Sequence, residues 1–405
     1  MVILVSIYFS IGKRLKSCFV ARARLSNMPP EIIEHIARSP PICVPWYLVD
    51  DEIQFPLDKH SLIALSQTCW SVRVPTERQL YRDLYMNLGP MYGAIGRQVD
   101  RILNTLQRRP ELGTYMKNFA MMWTPGYSLS STVDNIISRF PTLFPRLQFL
   151  FLTDSHYPQL LDSFSGCNIT SFGTHFTDKE SLCNILSKFP KLTYLYLDDF
   201  FPITPLDGIP HHLSRLKVRG RIQHPEIMLR HILQLCGGTV TQLYIKNTGL
   251  PRFSDTEEDM ETSLPKRLPE TTYHITSLHL VLVDVLSGPR NGASLLQLLP
   301  LQYLCTECAP APSPEGWNAL PRTLRRLTML NYDGYYDTPV FVEMLVKCLS
   351  SSIVNVASIQ RMELWGCGQE EVQNIPLLRE FCQEKEIPCS MMNSEMDPRI
   401  YVYCK

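Results

Sequence analysis

A short apolar pattern, L-x-x-L-x-L, constrains this chain more than any other feature. It returns along most of the length, and between copies stand an amphipathic stretch and a proline-containing turn. The copies read RLQFLFL (Arg146 to Leu152), NITSF (Asn168 to Phe172), KLTYLYL (Lys191 to Leu197), HLSRLKV (His212 to Val218) and TVTQLYI (Thr239 to Ile245). They continue as HITSLHL (His274 to Leu280), LQYLC (Leu301 to Cys305), TLRRLTM (Thr323 to Met329) and SIQRMEL (Ser358 to Leu364), with KNFAMMW (Lys117 to Trp123) as a variant ahead of them. Aligned on Leu150, Phe172, Leu195, Leu216, Leu243, Leu278, Leu304, Leu327 and Met362, they are separated by 22, 23, 21, 27, 35, 26, 23 and 35 residues. Most steps fit the period of about 20 to 29 residues expected of one strand plus one helix per repeat, and the longer ones mark insertions.

The intervals carry helix signals. Thr177 and Glu180 form a capping-box pair ahead of a helix to Phe189, Pro225 opens a helix that Cys236 and Gly237 close, and Pro339 precedes another from Phe341 to Leu349. Side chains alternate across each strand, so Leu192, Leu195 and Leu197 face inward and must be covered by neighbouring strands and by their own helix. No repeat is stable alone, and stacking yields a parallel sheet whose other face leaves Thr193, Tyr194 and Tyr196 to meet a partner. An asparagine ladder is missing, with only Cys305, Cys367 or Asp198 near such a position, which makes the repeats irregular.

Composition narrows the function classes. At 405 residues the chain exceeds what one core fills easily, and its 45% hydrophobic content allows a large buried interior. Basic and acidic side chains balance at 39 each, so no global field draws in nucleic acid or an anionic membrane. The 13 cysteines are odd in number and scattered from Cys18 to Cys404, which favours a reducing compartment, cytoplasmic or nuclear. Met1 to Gly12 is apolar and followed by Lys13, Arg14, Lys16, Arg22 and Arg24. That run falls short of the roughly 20 residues of a membrane span, and its charges follow rather than precede it as a secretory signal requires. Met28 is a plausible physiological start, with residues 1–27 an extension of no packed role.

From Met28 the pattern becomes helical. Pro29 and Pro30 suit a helix start, with Ile32, Ile33 and Ile36 on one face. A proline-rich loop around Trp46 and Tyr47 follows, and Asp58 caps a second helix bearing Leu62, Leu65, Cys69 and Val72. Pro75 and Thr76 open a third helix through Leu80, Tyr81 and Leu84, and a fourth carries Val99, Ile102, Leu103 and Leu106 before Pro110. The expected divisions are an extension over 1–27, a helical module over 28–88, a linking helix over 89–114, repeats over 115–395 and a tail over 396–405.

Three elements of the helical module resemble an F-box: Met28-Pro29-Pro30-Glu31, the Leu62 to Arg73 helix with Cys69, and Gln79-Leu80-Tyr81-Arg82. Together with degenerate leucine-rich repeats behind them, the chain is similar to fungal F-box proteins over nearly its whole length after Met28. Two departures are Met28 where leucine is usual and a long first connection from Ser39 to Leu57. The resemblance implies an α/β fold, an all-helical F-box followed by an irregular leucine-rich-repeat solenoid with its parallel sheet on the concave face. It also implies a substrate-receptor subunit of a Skp-cullin-F-box ubiquitin ligase that is not itself an enzyme. Adaptor contacts would fall to Pro29, Pro30, Ile32, Ile33, Ile36, Leu62, Leu65, Cys69, Leu80 and Tyr81, while the repeats hold an unidentified target protein. The alternative is a repeat scaffold unconnected with ubiquitination, its helices capping the first repeat.

Motifs for chemistry are sparse. Cys305 and Cys308 form a lone C-x-x-C without a second ligand pair, and buried thiols account for it better. His211 and His212, with Asp207 upstream, lie in a proline-bounded turn with no third ligand. No nucleophile elbow, phosphate loop or dinucleotide fingerprint occurs, so neither a cofactor nor a metal is expected. The acidic run from Asp255 to Glu261 reads as a solvated loop. Asn331 to Asp337 combines turn residues with Tyr332, Tyr335 and Tyr336, which together with Tyr194 and Tyr196 are the candidate target contacts.

Overall fold

The structure, a computed structural model, describes residues 29, 63, 64, 66, 67, 70–88, 101–123, 138–152, 158–175, 179–198, 212–220, 225–236, 238–247, 273–281, 283, 293–307, 314–318, 320–330, 343, 346, 350, 358–365 and 376–392. Contacts divide the chain into two units, one reaching Leu150 and including Gly166–Asn168, the other formed by Phe151–Ser165 and the chain from Ile169. Both are α/β with parallel strands.

In the first unit, helix α1 (Trp70–Leu80) leads directly into strand β1 (Asp83–Leu88). Residues 101–108 are helical and pass through a 3-10 turn (Pro110–Tyr115) into β2 (Asn118–Trp123). The short α2 (Phe140–Leu143) precedes β3 (Phe149–Leu152), whose first half closes this unit. β1 and β2 are parallel with Leu84 opposite Phe119, and the Lys117 carbonyl accepts the N–H groups of Gln148 and Phe149 where β3 begins. The core here is aromatic: Phe119 meets Phe140 edge-on at 5.2 Å, and Phe144 lies 5.1 Å from Phe140. Gly113 permits the close approach of the 3-10 turn to α2, because a Cβ there would collide with the Leu143 carbonyl oxygen.

The second unit continues with α3 (Pro158–Phe164), β4 (Ser171–His175), α4 (Lys179–Lys188), β5 (Tyr194–Asp198) and β6 (Arg215–Gly220). Then come α5 (Pro225–Cys236), β7 (Gln242–Asn247), β8 (Ser277–Val281), α6 (Ala293–Leu296) and β9 (Tyr303–Glu307). It ends with α7 (Pro314–Asn318), β10 (Arg326–Leu330), β11 (Arg361–Trp365), α8 (Pro376–Glu384) and β12 (Cys389–Met392). From β4 to β12 each strand pairs in parallel with the next in chain order. The residues aligned from sequence are the register itself: Phe172, Leu195, Leu216, Leu243, Leu278, Leu304, Leu327 and Met362 stand opposite one another in succession. All eight are 1% exposed or less, so a one-residue slip would turn a continuous apolar row to the other face.

This row faces the helices. Phe189, just past α4, stacks on Phe172 at 5.4 Å, while Leu229, Ile232 and Leu233 bury the inner side of α5. Pro225 begins α5, and Gly238 beyond its end is left-handed (φ 79°), while Gly237, expected from sequence to close the helix, lies outside the described residues. Successive helices touch: α3 with α4, α5 with α6, and α6 with α7.

A second ladder runs one residue ahead of the strands. The hydroxyl of Thr193 donates to the Thr170 carbonyl at 3.2 Å, Ser214 to Thr193 at 3.2 Å, Thr241 to Ser214 at 3.1 Å and Thr276 to Thr241 at 3.3 Å. Each of these carbonyls also accepts two backbone N–H groups from the next repeat, as Thr170 does from Thr193 and Tyr194. Hydroxyl-bearing residues thus join the repeats where the sequence lacks an asparagine ladder.

Four expectations are corrected. α1 runs through Pro75 instead of breaking there, and Thr76 Oγ1 donates to the Val72 carbonyl within it. The segment through Leu88 is not all helical, because residues 83–88 pair with β2 and that pairing overrides the helical spacing of Leu80 and Leu84. The strands start about three residues later than the apolar pattern, since its first apolar residue (Leu192, Leu213, Val240) is buried ahead of the strand, and β12 was not anticipated. The expected helix over 341–349 is described only at residues 343 and 346, both helical.

Candidate functional site

Because side chains alternate, residues flanking the buried row on each strand point away from the helices. In the second unit this helix-free face has a central row in register: Gly173, Tyr196, Lys217, Tyr244, His279, Cys305, Thr328, Glu363 and Ser390. Adjacent strands lie about 4.8 Å apart, so these side chains close laterally on one another. Lys217 Nζ sits 5.1 Å from the Tyr196 ring and 4.8 Å from the Tyr244 ring, an ammonium held between two aromatic faces. Tyr244 stacks with His279 at 5.9 Å, and His279 meets Tyr303 edge-on at 4.9 Å.

Charge is concentrated on this face. β6 places Arg215, Lys217 and Arg219 at alternate positions, and Lys246 of β7 stands opposite Arg219. Arg219 Nε lies 3.5 Å from Asp198 on β5. Further along, Arg326 donates to both carboxylate oxygens of Glu363 at 2.8 Å, Arg361 Nε approaches the same carboxylate at 2.9 Å, and Thr328 Oγ1 donates to it at 3.2 Å. Burial, then the positive charges of Arg326 and Lys217, push the His279 imidazole down to about 3, so it is neutral at physiological pH. Burial likewise raises the Tyr303 phenol well above its ordinary value.

In the first unit, α1 presents a different surface. Among the described residues the exposed large apolar side chains are Ile63, Trp70, Val74 and Leu298, three of them within twelve residues of one another. Trp70 is 76% exposed, its ring met at 5.0 Å by the Arg73 guanidinium, and Val74 lies one turn further along α1. Further along the same stripe α1 is anchored: Glu77, two turns beyond Trp70, accepts two hydrogen bonds of 2.8 Å from Arg109 and one of 3.0 Å from Arg73. Chiefly through the Arg109 bonds, which outweigh burial, the Glu77 carboxyl is held down to about 2.

Of the adaptor contacts expected from sequence, Pro29 is exposed while Leu80 and Tyr81 are half-buried. Pro30, Ile32, Ile33, Ile36, Leu62, Leu65 and Cys69 lie outside the described residues. Of the target contacts, Tyr194 and Tyr196 do sit on the helix-free face, but each is only 7% exposed, closed in by its neighbours instead of standing free. Tyr332, Tyr335 and Tyr336 lie outside the described residues, as do the acidic run, Cys308, Asp207 and His211. Cys305 is buried with a free thiol and His212 is exposed. No group of His, Cys, Asp or Glu arranged to hold a metal occurs among the described residues, and no described helix is long and apolar enough to cross a membrane.

Sequence reasoning passed over the charged row and Trp70. R-L-K-V-R over Arg215 to Arg219 carried a usable signal, because charges alternating with apolar residues in a strand mark the solvent face. The pairing of Arg326 with Glu363, 37 residues apart, follows only from the register. No protein-family model matches the chain, and a search of curated proteins finds no match, so the functional reading rests on these two surfaces.

Proposed function

We propose that the chain is a non-catalytic receptor: the segment around α1 docks a Skp-type adaptor of a cullin ubiquitin ligase, and the parallel repeats hold the protein to be modified. The observation that carries this reading is the exposure of Trp70, with Val74 on the same side of α1 and Ile63 ahead of it, within the stretch that resembles an F-box helix. Exposed tryptophan is a frequent interface anchor, and an apolar cluster beside an ion-paired anchor is better explained by a partner than by solvent. Arg109 and Arg73 hold α1 through Glu77, so Trp70 and Val74 are presented on an anchored element. Ubiquitin transfer itself would come from other subunits, with the receptor raising the effective concentration of a target lysine.

Co-purification of the full chain with a Skp-type adaptor tests this reading. Stable capture is expected, and Trp70→Asp combined with Val74→Asp should abolish it while circular dichroism stays unchanged, because a charge buried at an interface without a partner costs several kcal/mol. Failure of the unaltered chain to capture the adaptor would favour a repeat scaffold with no ligase.

A further inference from the structure

At the end of the described ladder we infer a modification site: Cys382 of α8 and Cys389 of β12 form a dithiol that a hydroperoxide converts reversibly into a disulfide. The inference is independent of the receptor reading, since it involves neither an adaptor nor a target.

Local structure brings the two sulfurs together. Beyond α8 the Ile387 N–H donates to the Cys382 carbonyl at 2.9 Å and the Glu386 N–H to the Gln383 carbonyl at 3.2 Å, with Glu386 left-handed at φ 53°. These are the paired bonds of a Schellman motif, which turns the chain back beside the last turn of the helix. The Pro388 carbonyl then accepts the Met362 N–H at 3.0 Å, and Cys389 is seated opposite Met362 of β11. Met362 belongs to the buried row that faces the helices, so Cys389 continues that row, and Cys382, buried next to Phe381, meets it from α8. Neither residue is in a disulfide, and the Cys389 S–H donates to Cys382 Sγ.

Sulfurs already in hydrogen-bonding contact need only side-chain rotation to reach the bonded distance of about 2.0 Å. The same contact supplies a nucleophile: burial pushes the thiols of Cys167 and Cys236 up, whereas Cys382 is lowered because its hydrogen bond with Cys389 outweighs burial. An oxidant reaches the pair from the side of Cys389, which is half-buried while Cys382 is buried. One sulfur, as thiolate, attacks a peroxide oxygen; the O–O bond breaks, a sulfenic acid forms, and the expelled hydroxide takes up the thiol's proton and leaves as water. The second sulfur then displaces the sulfenic hydroxyl, which leaves with the second thiol's proton as another water, and the S–S bond forms. Two thiols are thereby oxidised and one hydrogen peroxide is reduced to two waters. The new bond fastens α8 to β12, where the ladder has a described neighbour on one side.

The test treats the purified full chain with graded hydrogen peroxide, alkylates the remaining thiols and maps tryptic peptides without reduction. Cleavage after Lys385 puts Cys382 in peptide 380–385 and Cys389 in peptide 386–399, so the disulfide is read as these two peptides joined, lighter by two hydrogens than their sum and separated again by dithiothreitol. The joined pair is expected to exceed every other cysteine pairing by about tenfold or more, at a dose that leaves Cys183, also half-buried, open to alkylation. The oxidised chain should also melt at a higher temperature than the reduced chain, a rise that Cys389→Ser and Cys382→Ala each abolish. Recovery of both residues as alkylated thiols at that dose, or their joining to other cysteines as often as to each other, would overturn the inference and leave the pair as core packing alone. Because that reading comes from the unaltered chain, it stands even where a variant fails to fold.

Discussion

Phe151 and Tyr196 stack at 5.9 Å although β4 runs between their strands, and they can do so because the residue between them is Gly173. A Cβ at Gly173 would stand 2.5 Å from Phe151 Cδ2 and 3.3 Å from Tyr196 Cδ1. Glycine inside a strand ordinarily weakens it, so Gly173→Ala elsewhere on a sheet would help by about 0.5 to 1 kcal/mol. Here the sign should reverse: Gly173→Ala is expected to destabilise by about 1 to 2 kcal/mol, because one ring must shift and the stack is lost. Urea unfolding of the single variant, and of Gly173→Ala in a Phe151→Leu background where the clash is relieved, measures it.

The hydroxyl ladder should contribute modestly per rung. Thr241→Val removes the donor to the Ser214 carbonyl but leaves the N–H groups of Thr241 and Gln242 on it. A loss of about 0.5 to 1.5 kcal/mol is expected, since no buried acceptor is left bare. Thr193→Val and Thr241→Val should add, because the rungs share no bond, and chemical denaturation of the two single variants and the double variant checks this.

Glu77 ties the first unit's stability to pH. Its folded value, about 2, lies below the ordinary 4.5, so the unfolded chain takes up the proton first as pH falls. The contribution, on the order of 2 to 3 kcal/mol, is complete above about pH 5 and is lost as pH drops from 4.5 through 2. Glu77→Gln should remove that acid dependence and destabilise at neutral pH, leaving Arg109 without its two-pronged partner. Melting temperatures between pH 2.5 and 7 give the comparison.

His279 acts in a higher window of pH. It is neutral in the folded state down to about 3 but protonates near 6.5 when unfolded, so stability should fall as pH drops from 6.5 towards 3. Tyr244, Tyr303, Lys217, Arg326 and Cys305 face it from the neighbouring strands, and none offers a carboxylate to hold the added proton. Replacing the imidazole by a ring that cannot titrate, in His279→Phe, should flatten the dependence between pH 6.5 and 5, where Glu77 is silent. Stability measured at several pH values in that interval reads the difference.

The register was legible because one apolar residue per repeat lies at the sheet's centre, and hydrophobic burial fixes its partner whatever the flanking sequence. The hydroxyl ladder was equally visible at Thr170, Thr193, Ser214, Thr241 and Thr276, yet those positions read as spacers, since a hydroxyl's partner, a carbonyl of the preceding repeat, has no sequence signature. β1 was hidden by tertiary pairing that overrides a helical pattern. Tyr194 and Tyr196 were placed on the correct face but given too much freedom, because lateral closure depends on what neighbouring strands carry. The charged row needed the fold, for Lys217 lies 27 residues from Tyr244 in sequence and directly beside it in space.

Hydrogen exchange of the full chain with and without a Skp-type adaptor, read peptide by peptide, tests the central proposal most directly. Protection is expected over residues 62–81, around Trp70 and Val74, while amides of β5 to β7 keep their free-state rates. Complex formation with protection on the strands and none at α1, or no complex at all, would contradict it.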